Sequence, residues 1–275
     1  MQATATSTNT PRESNEQARL RALVRFNGLA FHSLAAASFL ETAAPRQATR
    51  LLQACDAHSP LAVWLEHAWG PRRADLGRRL RNYIEVIWPE FDWNAAYDEF
   101  VNAYRPCPAL PGRRGGTAPQ MMALCVTSAQ SALFYRAMGA SVDDPLLRGL
   151  ASTAAAEHAA FFEYVRRAFE QSKRPEGVGL LASWRVVAAV CRFARDGAVA
   201  AAFRPLAESW RGASIVPGLS YPEYRDRMAQ LILRCAKPGW LERLLFRPWV
   251  EHSRSAPGAP RPRADSWMRA APQPA

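Results

Sequence analysis

A carboxylate and an imidazole stand side by side at Glu157-His158, two donor types that can help to hold a metal ion. The simpler expectation for His158, which precedes Ala-Ala-Phe-Phe, is a helix histidine hydrogen-bonded in or near a core. A second adjacent pair, Glu66-His67, reads as a surface or interface feature. The five cysteines, Cys55, Cys107, Cys125, Cys191 and Cys235, form no C-x-x-C pair, which argues against a zinc knuckle and against a disulfide framework. No Glu-x-x-His occurs anywhere in the chain. Arg72, Arg73, Arg78, Arg79 and Arg81 crowd one stretch, either as the solvated face of a helix or as a surface for an acidic partner.

Helical periodicity dominates the segments that carry these residues, and no run of β-branched residues alternates with polar ones, so an all-α protein is expected. A first helix over Glu16 to Cys55 is expected to bend or break at Pro45. Ser59-Pro60 starts a second helix, with serine as N-cap and proline in the first turn, running to Pro89 with a kink at Gly70-Pro71. A short helix over Trp93 to Tyr104 and a Pro/Gly/Arg loop over Arg105 to Pro119 follow. Long helices are expected over Gln120 to Ala140 and Pro145 to Lys173, then further helices over Leu180 to Trp210, Tyr221 to Ala236 and Gly239 to Val250. The implied organisation is a disordered N-terminus (1–15), a helical bundle (16–176), a C-terminal helical extension (177–252) and a Pro/Ala/Arg-rich disordered tail (253–275).

With 275 residues, 49% of them hydrophobic, the chain can bury a substantial core. Lys and Arg number 35 against 24 Asp and Glu, a formal charge of +11, and lysine occurs only at Lys173 and Lys237. The excess is therefore arginine, part of which reflects a general Ala/Arg bias of the chain. No helix-turn-helix, zinc finger or stacking motif accompanies the charge, so nucleic acid is not the expected partner. Met1 to Glu16 has no apolar signal region, and the longest apolar stretches are broken by arginines, so a cytoplasmic protein without a membrane span is expected. The basic amphipathic segment 239–250 is expected to pack on the bundle in preference to a membrane surface.

The segment Ser59-Pro60-Leu61-Ala62-Val63-Trp64-Leu65-Glu66-His67-Ala68-Trp69, with Leu80-Arg81-Asn82-Tyr83, resembles the second bundle helix of the soluble acyl-carrier-protein desaturases, which are ferritin-like di-iron enzymes. Thr127-Ser128-Ala129-Gln130 is similar to the start of their third core helix. Asp144-Pro145-Leu146-Leu147-Arg148-Gly149-Leu150, with Glu157-His158 and Phe161-Phe162, is similar to the turn and fourth helix, and Glu41 with Pro45 to the acidic stretch of the first. The resemblance spans residues 41–170 and implies a ferritin-like four-helix bundle. In that family a Glu from each of two helices and a Glu-x-x-His from each of the other two hold the metals, since positions i and i+3 share one helix face.

Carried onto this chain without gaps, the resemblance puts Arg73 where the family has Glu and Leu76 where it has His. The Glu of the third helix falls at Ser128 or Ser131, according to the anchor chosen. On the fourth, His158 and Phe161 stand at the Glu and His positions, or His158 keeps the His position with Ala155 at the Glu. Only Glu41 matches a ligand, although an exposed place on the first helix suits it equally well. A lost metal centre is therefore expected, with no cofactor; iron, if held, would use Glu41, Glu157 and His158. A lost centre further requires Arg73 to point inward and pair with Glu41 or Glu157, because a lone buried charge is costly.

The leading expectation is a non-catalytic acyl-chain or acyl-carrier binding protein, or a partner subunit. Acyl carriers are acidic, which makes Arg78, Arg79, Arg81, Arg113 and Arg114 the candidate docking residues. The alternative is a desaturase- or oxygenase-type oxidoreductase acting on an apolar substrate through the unorthodox donors Glu41, Glu157 and His158. A ligand-free interaction protein is a third reading. The family also implies a homodimer.

Overall fold

The computed structural model describes residues 22, 24–53, 59–105, 118–171, 180–192, 197–210 and 218–236. Among these the protein is all-α, and strand-type pairing is limited to an isolated antiparallel bridge between Phe91 and Trp210. Both disordered-tail expectations, segment 239–250, and Arg113 and Arg114 lie outside the described residues.

Side-chain caps explain where several helices begin. Helix α1 (Gly28–Thr42) starts at Asn27, whose side chain accepts the Ala30 amide at 3.0 Å. The continuous helix expected from Glu16 is thus interrupted at 25–27. It is interrupted again at Ala43, so Pro45 does not bend a helix but occupies the first turn of α2 (Ala44–Leu52), where its missing N–H goes unnoticed. Ser59 caps α3 (Pro60–Trp64) as expected, accepting from Ala62 at 3.2 Å.

The kink expected at Gly70-Pro71 takes the form of one π-helical turn, Leu65–Trp69, closed by the Gly70 amide on the Leu65 carbonyl. Pro71 then sits in the first turn of α4 (Gly70–Ile87). Asp92 caps α5 (Trp93–Ala103), and α6 (Ala118–Ala140) is followed by a tight turn into α7 (Pro145–Gln171). Both carboxylate oxygens of the buried Asp144 accept amides of that first turn, from Leu146 and Leu147, each at 3.1 Å. The Tyr83 hydroxyl also bonds to Asp144, tying α4 to the start of α7.

The helix expected over Leu180 to Trp210 is not continuous. Helix α8 ends at Arg192 (Leu180–Arg192), and a short α9 (Ala200–Phe203) and a 3-10 turn (Arg204–Leu206) follow. Trp210 lies beyond them in the bridge to Phe91, its indole donating to the Leu206 carbonyl at 2.8 Å. Helix α10 (Tyr221–Cys235) opens with a full capping box between Ser220 and Glu223.

Two antiparallel pairs, α1 with α4 and α6 with α7, dominate the packing. Glycine allows the close approach in each. A Cβ on Gly77 would stand 2.5 Å from Thr42 Oγ1 and 2.7 Å from its amide nitrogen, and one on Gly139 would stand 3.2 Å from the Ala151 methyl. The extension packs on this framework, α9 and α10 against α1 and α10 also against α6. No described helix is long and apolar enough to cross a membrane.

The interior holds two large apolar clusters. One gathers Phe31, Phe39, Leu76, Leu80, Trp88 and Tyr135; the other gathers Leu65, Trp69, Met122, Ala129, Phe161 and Val165. From the end of the π-turn into α4 the boundary between them falls from Trp69 to Leu76, and along α7 from Ala155 to Phe161. Polar residues occupy that boundary.

Candidate functional site

Four helices each send one side chain to the boundary layer: Glu41 from α1, Arg73 from α4, Tyr135 from α6 and His158 from α7. All four are buried, at 2%, 5%, 1% and 1% exposure. Glu41 is the hub. Its Oε2 accepts from Arg73 Nε at 2.6 Å, and its Oε1 accepts from the Tyr135 hydroxyl and from His158 Nε2, both at 2.9 Å. Since a carboxylate only accepts, Nε2 carries the hydrogen. His158 Nδ1 is buried with no hydrogen-bond partner among the described residues. The Arg73 guanidinium also lies over the Trp69 ring, 4.8 Å from its centre.

The Gly77–Thr42 contact brings α1 and α4 together one turn from the ion pair, close enough for the short Arg73 to Glu41 bond. Electrostatics then sets the protonation states. Burial works to raise the Glu41 carboxyl, but the Arg73 guanidinium and the His158 imidazole outweigh it and hold its pKa down to about 2. Burial works to lower Arg73 and the Glu41 charge more than reverses this, so its pKa is raised. Burial and then the Glu41 carboxylate push the Tyr135 phenol well up, which keeps it a donor. The layer is therefore a closed ion pair with two further hydrogen bonds, not an exposed acid or base.

Of the residues expected at a former metal site, Glu41, Arg73 and His158 come together, and Arg73 points inward. Glu41 is not on an exposed face. Leu76 and Phe161 are buried apolar residues, Ser128 is buried and Ser131 is half-buried. Glu157 does not join the cluster: its carboxylate turns to Arg79 at 2.9 Å, with 28% of its side chain exposed. This removes one of the three donors on which an unorthodox iron site would depend. Among the described residues no three His, Cys, Asp or Glu side chains are placed to hold a metal.

Iron does not fit what remains. The Glu41 oxygens already accept three hydrogen bonds, and a permanent guanidinium cation stands 2.6 Å from one of them, where it would repel a divalent ion. Tyr135 is the participant that sequence reasoning missed. It lies four residues after Ser131 and seven after Ser128, on the helical stripe already singled out, and that spacing was the available signal.

The arginine-rich face of α4 proves largely occupied. Arg79 is committed to Glu157 and Asp75, Arg81 bonds Glu85 at 2.7 Å and stacks on Trp93 at 4.3 Å, and Arg78 reaches Asp75 at 2.6 Å. Of these three only Arg78 keeps most of its side chain, 73%, in solvent. An open groove lies along this face, lined by Asp75, Arg78, Arg79, Arg81, Asn82 and Glu85. His67 is exposed beside Glu66, as expected. Comparison with family models, curated proteins and solved structures gives no match to this chain.

Proposed function

We infer that this chain is a non-catalytic helical bundle of ferritin-like type, related to the soluble acyl-carrier-protein desaturases, in which a buried ion pair takes the place of a di-iron centre. It acts by binding, as an acyl-chain or acyl-carrier binding protein or as a partner subunit. The observation that carries this reading is the Arg73–Glu41 pair. The residue type at the expected ligand position is a cation, its side chain is buried, and it bonds to the one carboxylate that the family pattern retains. A cation that neutralises a buried carboxylate supplies the charge a metal would otherwise supply, while offering no open coordination position.

Docking on an acidic carrier would use the exposed side of α4. Arg78 and Arg72 are its most accessible cations, while Arg79 holds α4 to α7 through Glu157. Titration of the chain with a fluorescently labelled acyl carrier protein bearing a long acyl chain tests the reading. Saturable binding that weakens with added salt and with Arg78→Glu is expected. No binding at low salt, or conversion of the acyl chain in the presence of a reductant and dioxygen, contradicts it.

A further inference from the structure

The seam between the C-terminal extension and the four long helices contains a second buried histidine, remote from the Glu41 layer in its contacts. His32 on α1 is 4% exposed. Its Nδ1 lies 2.7 Å from the Gly28 carbonyl, so Nδ1 carries the hydrogen and a neutral ring leaves Nε2 bare. The ring stacks on Phe203 of α9, with centres 4.5 Å apart and planes within 21°, and meets Phe31 edge-on at 5.1 Å. Phe203 in turn packs against Tyr221 and Tyr224 of α10, each at 5.3 Å. His32 is thus the foot of an aromatic ladder that connects α1 to α9 and α10 of the extension.

We propose that His32 is a proton-operated latch: neutral, it seats the extension on α1, and when it gains a proton at Nε2 the extension detaches. The charge would be created in an apolar seam. From α10 the ionisable groups in ring contact with Phe203 are the phenols Tyr221 and Tyr224, which carry no negative charge to offset it, while Glu223 between them is bonded to Ser220 in the capping box. Several charged groups of the packed elements have partners of their own. Arg204, next to Phe203, turns to Glu99 at 3.8 Å, and Glu90 in the turn before α5 pairs with Arg25 at 2.6 Å. On α10, Arg225 pairs with Asp226, and Arg136 on α6 lies by Cys235. Burial, the largest influence, lowers the His32 pKa, and the Gly28 carbonyl returns only part of that shift. The Phe203 face would favour a cation to a lesser degree than hydration does, so it does not reverse the direction.

The sign follows from linkage. A histidine whose pKa is depressed when docked binds its proton in the detached state, so docking holds above the ordinary histidine range and weakens as pH falls below it. The detached population should grow by up to about tenfold per pH unit below about 6.5. Hydrogen exchange of the full chain at pH 7.5 and pH 5, corrected for the intrinsic rate, reads this directly. Protection of the amides in 221–235 should fall by about tenfold or more at pH 5 while α6 and α7 keep theirs, and His32→Phe, which preserves an aromatic ring against Phe203, should abolish the difference. If that ring proves too large, His32→Gln removes the titration while keeping a donor for the Gly28 carbonyl. Equal protection at the two pH values in the native chain, or a pH-dependence that persists in either variant, overturns the proposal.

Discussion

Replacing Arg73 by methionine removes the cation and keeps most of the aliphatic volume, which isolates the electrostatic role of the guanidinium. Glu41, 2% exposed, would be left in the interior with only the Tyr135 and His158 hydrogen bonds. The size of the effect can be worked from the carboxyl itself. Its pKa is about 2 against an ordinary 4.5, the net of burial and of all its partners, and a difference worth on the order of 3 kcal/mol at neutral pH. Breaking a buried pair by removing one partner costs on the order of 3–5 kcal/mol, which agrees. Urea unfolding at pH 7 should therefore show a lower midpoint with an unchanged slope, and a loss of about 3 kcal/mol or more. The double variant Glu41→Gln/Arg73→Met should recover most of that loss, because no charge is then stranded. The loss should also shrink as pH falls, first because the stranded carboxyl, raised by burial, takes up a proton above the ordinary 4.5, and below 4.5 because the native chain loses its own Glu41 contribution. A loss under about 1 kcal/mol in the single variant, or no recovery in the double one, would refute the reasoning.

In the native chain the Glu41 contribution is fully present above pH 4.5 and is lost as pH falls toward about 2, so acid titration of stability should show this loss and Glu41→Gln should flatten it. Tyr135→Phe keeps the ring but deletes a donor to a charged oxygen, and calorimetry should show a loss of about 1.5–3 kcal/mol. Gly77→Ala improves local helix propensity, yet its Cβ would stand 2.5 Å from Thr42 Oγ1; a loss of about 1–3 kcal/mol is expected, and a raised melting temperature would show that α1 and α4 can separate freely. Ser59→Ala should cost about 1 kcal/mol by removing the α3 cap, with no change in the pH-dependence of stability.

Local chemistry explains which features the sequence discloses. Ser59-Pro60 and the acidic turn before Pro145 mark helix starts because a cap acts within three residues, and both lie where expected. Arg73 was legible for a different reason: the resemblance put it at a position where the family has a Glu, and a cation buried there needs an anion. The Asn27 cap was obscured by an Ala/Leu-rich stretch that continues the helical pattern on its far side. The π-turn before Gly70 was hidden because an apolar pattern of Trp64, Leu65 and Trp69 is compatible with an ordinary helix. Glu157 was misassigned because its partner Arg79 is 78 residues distant and only the packing of α4 on α7 selects it over Glu41. Tyr135 was passed over because a tyrosine on a mostly apolar helix face is equally suited to plain packing, and its hydroxyl acquires a role only once α1 brings Glu41 beside it.

Under the proposed function a guanidinium stands, at the junction of the four helices, where the related enzymes hold metal. Iron analysis of the full chain, produced in iron-supplemented medium, reconstituted anaerobically with ferrous iron and then desalted, tests this most directly. Essentially no iron per chain is predicted, with the same result for Arg73→Met, in which Glu41 and His158 alone cannot complete a site. About two irons per chain in the native protein would contradict the account.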